Sequence, residues 1–215
     1  MRPTQSPYRR LNLTRNPFGE LTARDRAELA IVEVSRWLPQ LRKTNSALQF
    51  IGPCGHGKTT HLLSLSRALP GSQYIYLPEN GPHPGIPRVR PLLLDEAQRL
   101  TWWGRRRLFF SHGNSEPGPL VLGTHEDLSA QLKRGGFRVS TYFVESEHSP
   151  LRLQNILNRR IESARRSDGS LPTIELSLAA EMCERFGADI RAIENYLYQR
   201  FQQMVWEMQA WPPVI

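Results

Sequence analysis

Short hydrophobic runs alternate with longer, more polar stretches over the first two thirds of the chain. The runs predict buried strands at residues 47–51, 74–77, 91–95, 119–123 and 139–144. The stretches between them predict helices at about residues 58–69, 96–110 and 126–134. Strands that alternate with helices are typical of a parallel sheet with helices on both faces. The pattern therefore predicts an α/β domain with a three-layer parallel sheet.

Two segments around these strands have their own patterns. Residues 24–42 place apolar side chains, among them Trp37 and Leu41, near a 3.6-residue period, which predicts a helix. The segment 78–87 contains four prolines and cannot form a helix of normal length. The crossover between the second and third strands is therefore predicted to be a loop.

The last third of the chain is predicted to be entirely helical. Helices are expected from Pro150 to about Arg166, from about Glu175 to Phe186, and from about Asp189 onward. Ser149 suits the N-cap of the first of these helices and Pro150 its first position. The sequence thus divides into an irregular, basic N-terminal arm (1–22), an α/β domain (23–148) and a small helical domain (149–215).

Composition limits the classes of protein to consider. The 215 residues carry a formal net charge of +8, and all but three of the 28 basic residues are arginine. The apolar runs are too short for a signal peptide or a membrane span, so a cytoplasmic protein is expected. The two cysteines are too few for a disulfide framework, which fits a reducing compartment.

The most specific motif follows the first predicted strand. It matches the phosphate-binding pattern G-x-x-x-x-G-K-[ST] and consists of Gly52, Pro53, Cys54, Gly55, His56, Gly57, Lys58, Thr59 and Thr60. Glycines let backbone N–H groups converge on an anion, and the following helix adds its positive N-terminal dipole. Lys58 is expected to reach the β- and γ-phosphates of ATP, and the Thr59 hydroxyl to bind Mg²⁺.

Two adjacent carboxylates end the third predicted strand. Asp95 is expected to hold the Mg²⁺, and Glu96 to polarise the water that attacks the γ-phosphate. An alternative is that both residues simply begin a helix, where the dipole favours acidic side chains. Their position downstream of the phosphate-binding motif favours a catalytic pair, and hence an ATPase.

Positive charge is concentrated in two places. Residues 1–50 carry nine basic and four acidic residues, and a second cluster is Arg105–Arg107. Trp102 and Trp103 precede that cluster, and aromatic residues beside arginines suit contact with nucleic acid. A solvated helix face explains the arginines equally well, and at least one tryptophan is expected in the core.

Taken together, these motifs resemble the AAA+ ATPase family over nearly the whole chain and, within it, the ExeA, TniB and TnsC group. The resemblance implies a P-loop ATPase core followed by a small all-helical lid. Thr124, at the end of the fourth strand, resembles the sensor 1 residue. Arg191, in Gly187-Ala188-Asp189-Ile190-Arg191, resembles sensor 2 of the lid. Asn16-Pro17-Phe18 resembles the segment that closes over adenine.

The resemblance also implies an arginine finger that acts on the active site of a neighbouring subunit. In the family it lies before the fifth strand, where this chain has Arg134 and Arg138. Either arginine is a candidate, and a plain surface role is the alternative for each. Such a finger would stabilise charge on the transferring phosphoryl group and make hydrolysis depend on assembly.

The predicted function is an ATP-binding and hydrolysing switch that assembles with ATP, on DNA, to regulate a transaction such as transposition. The DNA contacts are assigned to the basic N-terminal arm and to Arg105–Arg107, and an additional protein partner is expected. One alternative is a nucleotide-dependent scaffold for a protein partner, with weak ATPase activity and no nucleic-acid role. Another is a small-molecule kinase, which the acidic pair and the Arg191 motif disfavour.

Overall fold

The five hydrophobic runs form the five strands of one parallel sheet in the computed structural model, which describes residues 6–87, 89–110 and 118–210. The strands are β1 (Ser46–Ile51), β2 (Gln73–Tyr76), β3 (Leu92–Asp95), β4 (Leu120–Thr124) and β5 (Arg138–Phe143). Their order in the sheet is β2-β3-β4-β1-β5. Each strand lies within one residue of its predicted bounds, and the α/β fold class with a parallel sheet is confirmed.

The chain folds into two compact units. We call Arg26–Ser146 the sheet unit, and the residues up to Asp25 together with those from Glu147 onward the helical unit. The helices are α1 (Ala23–Glu28), α2 (Leu38–Leu41), α3 (Lys58–Ala68), α4 (Trp102–Phe110), α5 (Ser129–Arg134), α6 (Pro150–Ser163), α7 (Leu176–Phe186) and α8 (Ile190–Ala210). Short 3-10 helices lie at Pro7–Leu11, Val34–Arg36, Ala97–Arg99 and Val144–Glu147.

The single helix predicted over residues 24–42 is wrong. The segment instead contains α1, a 3-10 turn and α2. Pro39 has no N–H to give to a carbonyl one turn earlier, so a helix cannot run through it, and Pro39 lies in the first turn of α2 instead. The buried side chains of Trp37 and Leu41 still anchor the segment beneath the sheet.

Alternate residues of the buried strands face opposite sides of the sheet, as the two-residue period of a strand requires. On one side Leu92, Leu94 and Leu122 pack with apolar residues of α4 and α5. On the other, Leu93 and Val121 pack with Trp37, Leu41 and α3. The strands β1, β3 and β4 are covered on both sides. In such open parallel sheets, ligands bind at the loops that follow the carboxyl ends of the strands, which we call the carboxyl edge.

The helical unit contains α6, α7 and α8 together with the first residues of the chain. Its core includes Tyr8, Leu11, Leu13 and Phe18 alongside apolar residues of the three helices. Leu13 also forms an antiparallel bridge with Arg165. The described part of the segment treated above as a separate arm thus contributes side chains to a hydrophobic core.

Arg160 fastens this N-terminal segment to α6. The side chain is almost fully buried, and its guanidinium donates to the carbonyls of Pro17 (2.9 Å) and Gly19 (2.6 Å) and pairs with Glu194. Asn16 is buried too and donates to the Tyr198 carbonyl at 3.0 Å. A buried charge with this many partners fixes the position of the segment within the helical unit. Over the described residues, no helix has the length and hydropathy needed to cross a membrane.

Candidate functional site

The loop Gly52–Gly57 connects the central strand β1 to α3 at the carboxyl end of the sheet. Gly55 and Gly57 have φ of 87° and 92°, which favours glycine over any residue with a Cβ. A Cβ on Gly52 would lie 2.4 Å from the Val144 side chain. The loop therefore needs glycine at these three places of its motif, for reasons of backbone geometry and space.

Lys58 begins α3 and is 4% exposed. Its Nζ donates to the carbonyls of Gly52 (2.8 Å) and Pro53 (2.9 Å), and it lies 3.1 Å from Nε2 of His125. These are neutral acceptors, and an anionic phosphate is a stronger acceptor for an ammonium. The lysine is thus held within the loop by contacts that a bound phosphate would replace.

Thr59 and Asp95, the two residues predicted to bind Mg²⁺, are in direct contact. The Thr59 hydroxyl donates to Asp95 Oδ2 at 2.6 Å, and the Tyr74 hydroxyl donates to the same oxygen at 2.9 Å. The backbone N–H of Glu96 donates to Oδ1 at 3.0 Å. Burial raises the pKa of Asp95, while the Thr59 and Tyr74 hydrogen bonds act in the opposite direction. The Tyr74 contact was not predicted from the sequence.

Glu96 follows β3 directly and has the backbone φ of 60° and ψ of 42°. This left-handed conformation is costly for a residue with a Cβ, and such outliers cluster at functional sites. The residue precedes a 3-10 turn but makes no side-chain capping bond, and α4 begins only at Trp102. The predicted single helix over residues 96–110 is therefore wrong, and the helix-start explanation of the acidic pair now applies only to the short 3-10 turn that Glu96 precedes.

The Glu96 carboxylate is buried among polar side chains. Its Oε2 accepts from Gln98 Nε2 at 2.6 Å and lies 3.2 Å from the Arg99 guanidinium and 3.4 Å from His125 Nε2. Arg99 in turn donates to the Leu77 carbonyl at 2.8 Å. His125 and Gln98 had no predicted role, and the structure brings both to the predicted catalytic carboxylate.

Thr124 ends β4 and pairs with Ile51, so it lies at the same edge of the sheet as the loop. Its hydroxyl donates to the Glu126 carbonyl (3.0 Å) and accepts from the Glu126 N–H (3.1 Å). A Cβ on the preceding Gly123 would lie 2.6 Å from Asp95 Oδ1. The structure thus brings Thr124 to the carboxyl edge, with its hydroxyl engaged by a neighbouring turn.

The remaining motif residues line the rim of the loop. Pro53 and Cys54 are exposed, and His56 and Thr60 are partly buried. His56 contacts the Cys54 carbonyl through Nδ1 at 2.9 Å and Glu145 through Nε2 at 3.5 Å. His56 and Cys54 therefore shape the outer face of the loop.

The two candidate finger arginines, Arg134 and Arg138, lie away from this edge. Arg138 begins β5 opposite Ser46, about 16 Å before the end of β1 at the usual strand rise, and Arg134 ends α5 just before it. Both side chains are exposed and beyond reach of the loop in the same chain. Arg191 lies in the first turn of α8, in the helical unit, with an exposed side chain.

The basic cluster on α4 divides in two. Arg105 donates to the Gln98 carbonyl at 2.7 Å and pairs with Glu126 at 2.5 Å, whereas Arg106 and Arg107 are exposed. The Arg106 guanidinium lies 5.7 Å from the Trp102 ring. Trp102 and Trp103 are 63% and 72% exposed, so the prediction of a tryptophan in the core is wrong. The buried residues of α4 are Leu108 and Phe109, near its end, whereas both tryptophans of its first turn are exposed.

The chain matches no protein-family model, and a comparison with curated proteins also finds no match. Within the described residues, no group of three or more His, Cys, Asp or Glu side chains forms a metal site. Thr59 and Asp95 would each offer one oxygen to a Mg²⁺, a cation that commonly takes its other ligands from phosphate and water.

Proposed function

We propose that the protein is an ATP-hydrolysing molecular switch of the AAA+ type, with its active site at the carboxyl edge of the sheet. One observation carries the proposal: the loop holds a buried lysine beside a threonine that is hydrogen-bonded to the aspartate at the end of β3. A lysine for phosphate and a Thr–Asp pair for the metal are the parts that a P-loop ATPase needs.

Each side chain has a task that follows from its position. Lys58 would transfer its N–H groups from the loop carbonyls to the β- and γ-phosphates. Thr59 and Asp95 would hold the Mg²⁺, which supplies charge neutralisation when bound. Glu96 would orient the attacking water from its fixed place next to Asp95. Thr124 would turn its hydroxyl from Glu126 toward that water or the γ-phosphate.

The positions of Arg134 and Arg138 support assembly of several copies of the chain. Arg134 and Arg138 lie too far from the loop of their own chain, so either would serve as a finger only in a neighbouring copy. The helical unit would act as the lid, with Arg191 reaching the phosphates. ATP binding would then favour an oligomer, and hydrolysis would release it.

DNA is the proposed platform for this assembly, in a process such as transposition. Arg106 and Arg107 offer exposed charge beside two exposed tryptophans, a combination that suits a phosphate backbone. The same tryptophans favour a second candidate, a nucleotide-dependent scaffold for a protein partner, because exposed tryptophans are typical of protein interfaces.

Calorimetric titration of Mg-ATP tests the proposed site. Wild-type protein should bind with a measurable affinity. In Lys58→Ala, binding should fall by at least about 100-fold, because a charged hydrogen bond of about 1.5–3 kcal/mol is lost to each phosphate contacted. His83→Ala, on the exposed proline-rich loop, is the control and should bind as wild type does. Equal affinity of Lys58→Ala and wild type would contradict the proposal.

A further inference from the structure

We propose that His125 is a positioning residue that couples phosphate binding at Lys58 to the orientation of Glu96. The inference rests on the proposed function, since it concerns the same site. Nε2 of His125 lies 3.1 Å from the Lys58 ammonium and 3.4 Å from the Glu96 carboxylate. The imidazole therefore stands between the phosphate-binding side chain and the side chain that orients water.

Lys58 and Glu96 require different protonation states of Nε2. An ammonium requires a lone pair on Nε2, whereas a carboxylate requires an N–H there. A neutral imidazole satisfies only one of them at a time, according to its tautomer. In the structure the Lys58 ammonium is the nearer of the two neighbours of Nε2, and an ammonium carries only donors. Without phosphate, therefore, Nε2 serves Lys58 as an acceptor.

Phosphate binding reverses that preference. As the N–H groups of Lys58 turn to an anionic oxygen, Nε2 loses its donor and faces the Glu96 carboxylate alone. In the described part of the chain Nδ1 makes no hydrogen bond, and the side chain is 35% exposed. Water can therefore take the proton from Nδ1 while another water delivers one to Nε2, so that the ring stays neutral. The new Nε2–H then donates to Glu96.

Hydrogen bonds through Gln98 hold His125 near Glu96. The His125 N–H donates to Gln98 Oε1 at 3.3 Å, and Gln98 Nε2 donates to Glu96 Oε2 at 2.6 Å. Gln98 thus ties the loop after β4 to the carboxylate and keeps the imidazole within reach of it. A further donor from His125 would compete with Gln98 and Arg99 for the carboxylate and so change its orientation.

The kinetic test compares His125→Ala and His125→Gln with wild type. In His125→Ala, kcat for Mg-ATP should fall about 10-fold or more, as misplaced catalytic groups cause, while the Kd changes less than about 3-fold. His125→Gln offers an amide that both donates and accepts, and should recover part of kcat. His83→Ala is the matched control. An unchanged kcat in His125→Ala, or a loss that lies entirely in Kd, would overturn the inference.

A second measurement does not depend on turnover. In protein with ¹⁵N-labelled histidine, adding Mg²⁺ and a slowly hydrolysed ATP analogue should convert Nε2 of His125 from a bare to a protonated nitrogen. The signal is assigned by its loss in His125→Gln. If the analogue binds and the tautomer does not change, this inference fails while the nucleotide site stands. If wild type neither binds nor hydrolyses ATP, the proposed function itself fails.

Discussion

Two effects act on the pKa of Asp95 in opposite directions, and their net result should be measurable as a pH-dependent stability. Burial raises the pKa of this carboxyl, whereas Thr59 and Tyr74 stabilise its charged form by hydrogen bonds. Because the net folded-state pKa lies above the ordinary value, the folded protein binds a proton more readily than the unfolded chain does. The contribution of Asp95 to stability is therefore most favourable at low pH, and it declines as the pH rises from the unfolded toward the folded pKa of this carboxyl.

Asp95→Asn should accordingly stabilise the nucleotide-free protein at neutral pH. The amide is never charged, and the Thr59 and Tyr74 hydroxyls can rotate to suit it. A gain of about 1 kcal/mol would raise Tm by about 2–4 °C for a chain of this size. The difference from wild type should shrink as the pH falls toward about 4, the value for a free Asp. Thermal unfolding at a series of pH values measures it, and a pH-independent difference would contradict this view of Asp95.

The sequence predicted those site residues that share a contiguous motif. Lys58 and Thr59 follow one another on the loop and first turn, and Asp95 and Glu96 end a strand that topology brings beside them. Tyr74, Gln98 and His125 could not be found in this way, because they belong to no recognised motif. The sequence places Tyr74 only within a predicted strand. Its proximity to Asp95 follows once β2 is known to pair with β3.

Among the elements, buried strands were the most predictable and the segment before β1 the least. A strand covered on both faces is a continuous apolar run, and that signal marks β1, β3 and β4 sharply. Residues 24–42 have a helical period, but Ile31, Val32 and Val34 are poor helix formers and Pro39 interrupts the hydrogen bonds. Packing of Trp37 and Leu41 decided the local structure there.

Helix α4 makes the DNA proposal measurable. If Arg106 and Arg107 contact phosphates, duplex binding should weaken steeply with salt, by about −0.9 in log K per log salt for each phosphate neutralised. Arg106→Gln with Arg107→Gln should flatten the slope by up to about two such contacts. Arg105→Gln should change it little, because that side chain is already bonded to Gln98 and Glu126.

Fluorescence anisotropy with labelled duplex at several salt concentrations, with ATP present, gives these slopes. The ATPase rate without DNA should be the same in the double variant as in wild type. An unchanged slope in the double variant would remove α4 from the DNA contact. Absence of DNA binding even at low salt would favour the protein-partner scaffold.

At the scale of the whole molecule, the two units and their order could be predicted, but the place of the N-terminus could not. The prolines and arginines of residues 1–22 indicate an exposed arm. The apolar residues Tyr8, Leu11, Leu13 and Phe18 follow no helix or strand period, so the sequence does not reveal that they share a core. The packing of these side chains and the tertiary contacts of Arg160 and Asn16 make the segment part of the helical unit.

The trans role of an arginine can be tested by mixing subunits. Arg134→Ala and Arg138→Ala proteins each keep a complete Lys58–Glu96 site, and a Glu96→Gln protein keeps both arginines. A true finger variant should be inactive alone and regain ATPase activity when mixed with Glu96→Gln, because an intact site then meets an intact finger. Lys133→Ala, on the same helix, is the control and should hydrolyse ATP without a partner. If neither arginine variant is rescued, assembly through this surface is wrong.

The proposed function depends on ATP hydrolysis assisted by Glu96, and phosphate release from Mg-ATP measures that hydrolysis most directly. Wild-type protein should release phosphate with multiple turnovers. Glu96→Gln should bind Mg-ATP with nearly the wild-type affinity and release phosphate at least about 10²-fold more slowly, because an amide cannot take a proton from the attacking water. Wild-type protein that binds ATP without turnover, or a Glu96→Gln variant as fast as wild type, would contradict the account.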